Sequence, residues 1–258
     1  MNNKYIFKFI WILSNKNLYF IWKYLHKISL WLMWFWYIND WEKNTIKNLA
    51  KYFNGKSITF FDVWFNVWDY TNTICEIFWN KVNVYWFEPV KKTYNEWFSN
   101  TKEHCNVKLY NIWLWDEEKE MLIYFGQDFD WCASISSKGE YSESISINTV
   151  DKFCKKEHIN HIDFMKIDVE WYELNVLKWA KEMLLNNKID IIQFEFFKTN
   201  VFSKVFFWDF WEMLCNDYKI YRILNNSLYE IKEYSHIDCE IFIVTNYLAV
   251  RKDINFNF

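Results

Sequence analysis

Polar side chains that could hold a nucleotide-like ligand follow several short apolar runs of this sequence. Asp62 ends the first run and Asn66 lies just after it, while Glu88 ends the second. An acidic side chain in the position of Glu88 can accept hydrogen bonds from both hydroxyls of a ribose. The other polar residues at predicted strand ends are Asn111, Asp116, Asp168, Glu170 and Glu195.

Each of these residues taken alone is explained equally well as a solvated or helix-capping side chain. Their coincidence at five predicted strand ends favours a binding site. In an open α/β sheet, ligands bind at the carboxyl ends of the strands, so the side chains are expected to converge at one edge.

The stretch from Phe60 to Tyr70, FFDVWFNVWDY, is the centre of this pattern. With glycine in place of Trp64 and Trp68 it reads DVGxNxGDY. That pattern is typical of a buried strand that runs into a tight turn and a helix, where backbone N–H groups and the helix N-terminus approach a ligand. A bulky residue in such a turn is strained wherever φ is positive.

The composition offers an explanation for these tryptophans. The chain of 258 residues has 3 Gly and 18 Trp, whereas a typical protein of this length has roughly 18 glycines. We hypothesise that UGA codons that encode glycine were translated as tryptophan. The hypothesis applies to each position separately, because genuine tryptophans can be among the 18. UGG codons at Trp64, Trp68, Trp115 and Trp171 would contradict the hypothesis. The alternative is an aromatic-rich protein with genuine tryptophans.

Strands and helices are predicted to alternate, which favours a doubly wound, Rossmann-like α/β fold with a mostly parallel sheet of seven strands. Residues 41–250 are expected to form the main domain, after an N-terminal helical and aromatic extension (1–40) and before a tail (251–258). The predicted strands are 57–63, 82–87, 107–112, 162–169, 189–196, 219–224 and 240–245, and the loop 127–142 and two shorter strands interrupt the order.

The remaining features of the sequence exclude several classes. A net charge of −3 and a pI near 6.0 give no electrostatic footprint for nucleic acid.

Lysines interrupt the apolar N-terminal segment, so no transmembrane span is predicted. The segment is expected to cap the sheet or to cover the side on which a second substrate would bind, with peripheral membrane contact as the alternative. Six well-separated cysteines favour cytoplasmic thiols, and no metal site is predicted.

Four blocks of the sequence resemble the FkbM-type class I methyltransferases. They are DVWFNVWDYT (62–71), VYWFEPV (84–90), NIWLWDEE (111–118) and HIDFMKIDVEWYELNVLKWAKEML (161–184). The family has glycine where this chain has Trp64, Trp68, Trp115, Trp171 and Trp179. The resemblance extends from about residue 39 to residue 248, and Phe65 departs from it because the family often has alanine there.

The resemblance implies S-adenosylmethionine as the cofactor and a hydroxyl on a sugar, a glycan or a secondary metabolite as the acceptor. It implies that the cofactor is held by Asp62, Trp64, Asn66, Trp68 and Glu88, with Asn111 or Asp116 near the adenine. Asp168 and Glu170 would face the sulfonium and the acceptor, and either is a candidate general base. In-line methyl transfer depends mainly on alignment and on a desolvated site.

Two other functions stay open at this point. The first is a nicotinamide-dependent oxidoreductase, although the turn with restored glycines lacks the G-x-G-x-x-G spacing of that class. The second is a non-catalytic interaction protein in which the tryptophans are genuine binding anchors. The sequence does not indicate an oligomeric state.

Overall fold

Two β-sheets organise this protein in the computed structural model, which describes residues 18–35, 41–63, 68–100, 106–115, 119–125, 141–169, 172–224 and 227–256. The strands are β1 (Ile58–Val63), β2 (Val82–Phe87), β3 (Asn106–Tyr110), β4 (Trp113–Leu114), β5 (Lys119–Phe125), β6 (Tyr141–Asn148), β7 (Ile162–Ile167), β8 (Ile189–Phe196), β9 (Tyr218–Ile223), β10 (Leu228–Ile231) and β11 (Thr245–Arg251).

The large sheet has the order β10-β9-β11-β8-β7-β1-β2-β3, and the small sheet has the order β4-β6-β5. From β3 to β8 all neighbours in the large sheet are parallel, whereas β11, β9 and β10 are added by antiparallel pairing. The predicted α/β fold with a mostly parallel sheet is confirmed. The short strand β10 extends the sheet beyond the seven strands predicted.

Helices cover both faces of the large sheet. They are α1 (Tyr19–Phe35), α2 (Trp41–Phe53), α3 (Trp68–Phe78), α4 (Lys91–Asn100), α5 (Val150–Lys156), α6 (Glu173–Lys178), α7 (Lys181–Leu185), α8 (Thr199–Ser203), α9 (Phe207–Leu214) and α10 (His236–Cys239). Phe60 and Phe164 face the layer that holds α2 and α3, and Phe61 and Met165 face the layer that holds α5 and α9. Strands buried on both faces read as continuous apolar runs, as ITFFDV does in β1.

Two predicted elements differ in the structure. The sequence after Tyr172 predicts one amphipathic helix through Asn186, but the structure divides this segment into α6 and α7 at Trp179 and Ala180. The strand predicted over 240–245 is wrong, since the last strand begins at Thr245. The physical reason is that Glu240 caps α9: its carboxylate accepts hydrogen bonds from the backbone N–H groups of Phe207 and Trp208, both at 3.0 Å.

The N-terminal extension contributes one described helix, α1, whose aromatic residues Tyr19, Phe20 and Tyr24 are exposed. Among the described helices, none combines the length and the apolar character that a membrane span requires. Among the described residues, Cys154, Cys215 and Cys239 have free thiols, whereas Cys75 is disulfide-bonded, which differs from the predicted thiol.

Candidate active site at the carboxyl edge of the sheet

The predicted site residues that the structure describes lie at one edge of the large sheet. Asp62 is the penultimate residue of strand β1, and Glu88, Asn111 and Asp168 directly follow strands β2, β3 and β7. Since β1, β2, β3 and β7 are parallel, their carboxyl ends bring these side chains to the same side of the fold. Glu195 is the penultimate residue of β8 and is buried at that edge.

A buried lysine joins two of the predicted carboxylates. Lys166 is the register partner of Asp62 in the adjacent strand. Its Nζ lies 2.8 Å from Asp168 Oδ2 and 4.0 Å from Asp62 Oδ1. Asp62 Oδ2 accepts a 2.6 Å hydrogen bond from the Thr71 hydroxyl in the first turn of α3. The other oxygen, Oδ1, is buried and has no hydrogen-bond partner in the described part of the chain.

The charges in this cluster stabilise one another. Burial alone would lower the pKa of Lys166, but Asp168 and Asp62 outweigh burial and raise it above its usual range. Burial raises the pKa of Asp62, against the opposing effects of Lys166 and Thr71. The two directions agree with the distances, because Lys166 is paired closely with Asp168 and only loosely with Asp62.

Glu88 is the second buried acid of the site. It is 2 % exposed, and its Oε1 accepts a 2.7 Å hydrogen bond from the backbone N–H of Val90. Burial raises the pKa of Glu88 to about 8, with a further contribution from Glu143 and an opposing one from the Val90 N–H. A carboxyl group in this state can both accept and donate hydrogen bonds near neutral pH.

Asn111 lies beside Glu88 and orders its loop. The Asn111 amide donates to the carbonyl oxygens of Glu88 and Pro89, at 2.8 and 2.9 Å. The structure therefore gives this side chain a role in positioning the end of β2. Of the other predicted residues, Trp68 begins helix α3; Trp64, Asn66, Asp116 and Glu170 lie outside the described residues.

Three aromatic rings pack together after strand β3 and before helix α6. Trp113 and Trp115 stack with ring centroids 5.4 Å apart, and Tyr172 meets Trp115 edge-on at 4.9 Å. The indole Nε1 of Trp115 is buried without a hydrogen-bond partner among the described residues. A buried unpaired donor costs about 1–3 kcal/mol, so an indole at residue 115 is poorly accommodated.

A second tryptophan has an unfavourable backbone. Trp79 directly follows helix α3 with φ of +51°, and its side chain is 70 % exposed. This left-handed position after a helix is the one glycine usually occupies, and a side chain there costs roughly 1–2 kcal/mol. By contrast, Trp179 has φ of −102°, a conformation open to any residue.

Sequence reasoning missed Lys166 and a polar chain beside it. The Tyr70 hydroxyl donates to Gln193 Oε1 at 2.8 Å, and Gln193 Nε2 donates to Asn246 Oδ1 at 3.2 Å. All of these side chains are buried. The available signal was a lysine, a glutamine and an asparagine inside otherwise apolar strand runs, since such residues are seldom fully buried unless they are paired.

The opposite edge of the sheet holds a different ionic cluster. His161, Asp163 and Asp190 offer side-chain atoms within 4.8 Å of one another. Asp190 Oδ1 lies 2.8 Å from Arg251 Nη1 and 3.1 Å from His161 Nε2, and Asp163 accepts a 2.7 Å hydrogen bond from the Thr59 N–H. Arg251 and His161 therefore pair with Asp190, and a backbone N–H donates to Asp163.

Comparison with known protein families identifies one match. A family model described as the methyltransferase FkbM domain matches residues 51–222. A search of curated proteins finds no match.

Similar solved structures have low identity to this chain. A methyltransferase FkbM from Methylobacillus flagellatus KT is 13% identical over 75% of this chain and 43% of its own, with a TM-score of 0.45; this chain thus spans less than half of that protein. A putative rRNA methylase from Clostridium thermocellum is 10% identical (79% and 93% covered, TM-score 0.43). A SAM-dependent O-methyltransferase from Thermotoga maritima is 11% identical (79% and 63% covered, TM-score 0.40).

Proposed function

This chain belongs to the FkbM methyltransferase domain family, and from that premise we propose that it transfers a methyl group from S-adenosylmethionine to a hydroxyl. The match of the family model to residues 51–222, more than half of the chain, is the observation that carries the proposal. The acceptor class that we propose is a sugar, a glycan or a secondary metabolite.

The described residues fit the proposed cofactor. Glu88 is a buried carboxyl at the end of β2, and its Oε1 is already used by Val90, which leaves Oε2 for the ribose hydroxyls. Asp62 has a buried oxygen with no hydrogen-bond partner among the described residues, which suits a ligand with donor groups. When bound, S-adenosylmethionine supplies an activated methyl group on a cationic sulfonium.

The cluster of Asp62, Lys166 and Asp168 favours a cationic ligand. Two carboxylates and one ammonium leave a net charge of −1, with Asp62 and Lys166 buried and Asp168 partly exposed. Electrostatic interactions are strong where water is excluded, so this excess negative charge stabilises a positive group at the carboxyl edge. We propose that Lys166 is a positioning residue that holds both carboxylates in place.

Asp168 is the described candidate for the general base. Its side chain is 24% exposed, whereas those of Asp62 and Lys166 are nearly buried, so an acceptor can reach it. Lys166 holds Oδ2 at 2.8 Å, and the second oxygen can accept the proton of a hydroxyl. Glu170 stays the alternative base.

The proposal includes glycine at residues 64, 68, 79 and 115 of the native protein. The positive φ at Trp79 and the unpaired buried indole N–H of Trp115 support this for two sites independently of the family. Small residues at 64 and 68 would leave room for a ligand beside Asp62.

Calorimetry on two forms of the chain tests the proposal. The form with glycine at residues 64 and 68 is expected to bind S-adenosylmethionine and not NADH, and the form with tryptophan there is expected to bind neither. Peptide mass spectrometry of the native polypeptide reports which residue is present. Tryptophan at residue 64 in the native protein, or binding of NADH alone, would contradict the proposal.

A further inference from the structure

Helix α1 lies at the antiparallel end of the large sheet, beside the hairpin of β9 and β10. Its residues His26, Ser29 and Leu30 line a cavity of about 970 Å³, and the other walls come from this hairpin, from α10 and from the start of β11. The spacing of these three residues places them on one side of a helix. That side of α1, which we call the inner side, therefore faces the rest of the chain.

The opposite side of α1 is apolar and exposed. An α-helix turns by about 100° per residue, so residues two positions from His26 lie nearly opposite to it. The apolar residues of this opposite side, which we call the α1 outer face, are Phe20, Ile21, Tyr24 and Ile28. All four are exposed, and Phe20 and Tyr24 have exposed fractions of 67 % and 65 %.

The outer face reverses the usual orientation of an amphipathic helix. A surface helix of a globular protein normally turns its apolar side towards the core, whereas α1 turns His26 and Ser29 inwards and its outer face away. Contiguous exposed apolar side chains indicate an interaction surface. No tryptophan belongs to the four residues, so glycine at residue 22 would leave the composition of the outer face unchanged.

The N-terminal part of the chain has a positive charge that the rest lacks. The whole chain has 30 Lys and Arg against 33 Asp and Glu, and five of the lysines but none of the acidic residues lie in residues 1–39. The acidic excess therefore belongs entirely to residues 40–258. Lys23 and Lys27 directly precede Tyr24 and Ile28 and are exposed, so they follow one flank of the outer face.

An apolar stripe flanked by lysines matches the surface of an anionic membrane. Phe20 and Ile28 can enter the acyl region, while the Tyr24 hydroxyl and the lysine ammonium groups stay at the level of the lipid headgroups. The acidic remainder of the chain is repelled by such a surface, which favours approach through α1. A second copy of this chain fits less well, because a symmetric contact between two outer faces brings the lysines of both copies together.

We propose that α1 is an interfacial helix that binds this protein to membranes containing anionic lipids, with the outer face inserted and Lys23 and Lys27 at the headgroups. The helix lies along the membrane surface, since the outer face runs parallel to the helix axis over residues 20–28. This inference adds a partner to the proposed methyltransferase function and does not depend on that function.

Vesicle co-sedimentation with the full-length chain tests the proposal. One set of vesicles contains equimolar phosphatidylcholine and phosphatidylglycerol, and the other contains phosphatidylcholine alone. We expect binding to the anionic vesicles and weaker binding to the neutral ones. High salt is expected to remove this difference, because it screens the interaction between the lysines and the anionic headgroups.

Two variants of α1 separate the apolar and the ionic contributions. Phe20→Ser/Tyr24→Ser/Ile28→Ser is expected to weaken binding to anionic vesicles about 100-fold or more. Lys23→Gln/Lys27→Gln is expected to weaken it roughly fivefold per lysine and to leave binding to neutral vesicles unchanged. All of the substituted side chains are exposed, so the fold is expected to persist, which circular dichroism checks.

Matched control variants remove similar groups from another part of the surface. Lys181→Gln/Lys188→Gln changes two exposed lysines at the beginning of α7 and just after it, and is expected to leave vesicle binding unchanged. Leu185→Ser removes an apolar side chain that is 71 % exposed and is expected to have no effect either.

Three results of the vesicle experiment would overturn the proposal: no binding to either vesicle type, equal binding to both, or binding that the triple serine variant retains. Analytical ultracentrifugation identifies the other occupant of the outer face. A dimer that the triple serine variant loses, in a chain that does not bind vesicles, would assign the outer face to a second copy.

Calorimetry with S-adenosylmethionine on the same samples distinguishes this proposal from the proposed function. The α1 variants are expected to bind the cofactor as the native chain does. Cofactor binding without vesicle binding contradicts only the membrane proposal, and vesicle binding without cofactor binding contradicts only the methyltransferase function.

Discussion

The two ends of strand β7 carry ionic clusters of similar composition in opposite settings. At the carboxyl edge, Lys166 lies between Asp62 and Asp168 with 6% of its side chain exposed. At the amino edge, Arg251 and His161 meet Asp190 with 17% and 39% exposed. Both edges combine basic groups with aspartates, and strand β7 contributes to both clusters.

The two clusters differ in how closely their aspartate oxygens are paired with cations and hydrogen-bond donors. At the amino edge, Arg251 and His161 both contact Asp190, and a backbone N–H satisfies Asp163, so the ions neutralise one another near solvent. Within the described residues, the buried oxygens Asp190 Oδ1 and Asp62 Oδ1 both lack a hydrogen-bond partner. Asp190 Oδ1, however, lies 2.8 and 3.1 Å from two basic groups, whereas the nearest cation to Asp62 Oδ1 is 4.0 Å away. A buried polar atom without a partner is costly, and such atoms are retained where a ligand uses them. The weaker pairing of the Asp62 oxygen supports our proposal that the carboxyl edge serves binding and the amino edge serves stability.

The largest expected effect comes from removing the central cation at each edge. Lys166→Met leaves the buried Asp62 and the partly exposed Asp168 without their shared cation. We therefore expect a loss of about 3–5 kcal/mol in the free energy of unfolding and a loss of cofactor affinity of at least about 100-fold. Arg251→Met removes a more exposed partner and is expected to cost about 1 kcal/mol, with cofactor affinity unchanged. Urea unfolding and calorimetry measure the two quantities.

A conservative variant separates positioning from folding. Lys166→Arg keeps the charge and is expected to recover most of the unfolding free energy and cofactor affinity. If Lys166→Met is folded and binds S-adenosylmethionine as tightly as the native chain, the assignment of the carboxyl edge as the functional one fails. Equal losses in the Lys166 and Arg251 variants would remove the distinction between the edges.

The sequence predicted the parallel part of the fold well and the antiparallel end poorly. Strands β2 and β8 were predicted over 82–87 and 189–196, the ranges they occupy, because buried parallel strands are short apolar runs between polar turns. Strand β10 has only four residues, LYEI, and its pattern is too short to be distinguished from a loop. Its place at the sheet edge depends on pairing with β9, which no local signal encodes.

The candidate site shows the same limit. Asp62 and Glu88 could be predicted because a strand-end acid is a local feature of the sequence. The pairing of Asp62 with Lys166 could not, because it depends on the register of two strands about a hundred residues apart.

Glu88 gives a prediction of intermediate size that sharpens the assignment of the carboxyl edge. Burial raises its pKa from the ordinary value of 4.5 to about 8 in the folded chain, so the folded state binds more protons between these values. The free energy of unfolding therefore falls as pH rises through this window, by up to about 1.4 kcal/mol per pH unit. Glu88→Gln is expected to remove this contribution, which thermal unfolding from pH 4 to pH 9 measures.

Ligand binding gives an independent check on Glu88. Ribose hydroxyls that donate to the carboxylate would lower its pKa, so cofactor binding near pH 7 is expected to release a proton. Calorimetry in buffers of different ionisation enthalpy detects this release, and Glu88→Gln is expected to abolish it. An unchanged pH profile in the variant would show that Glu88 is not the group that titrates.

The smallest expected effect is at the amino edge, where metal binding tests whether this edge is also a ligand site. His161, Asp163 and Asp190 have the spacing for a divalent cation, but Arg251 already lies 2.8 Å from Asp190, and a cation beside a guanidinium is repelled. Zn²⁺ is therefore expected to leave the melting temperature of the native chain unchanged. In Arg251→Ala the three side chains are free to bind the ion, so Zn²⁺ is expected to raise the melting temperature slightly, as a ligand that binds only the folded state does. If Zn²⁺ stabilises the native chain and the double variant Arg251→Ala/His161→Ala loses this effect, the amino edge is also a ligand site. Pairing of charges would then not distinguish the two ends of strand β7.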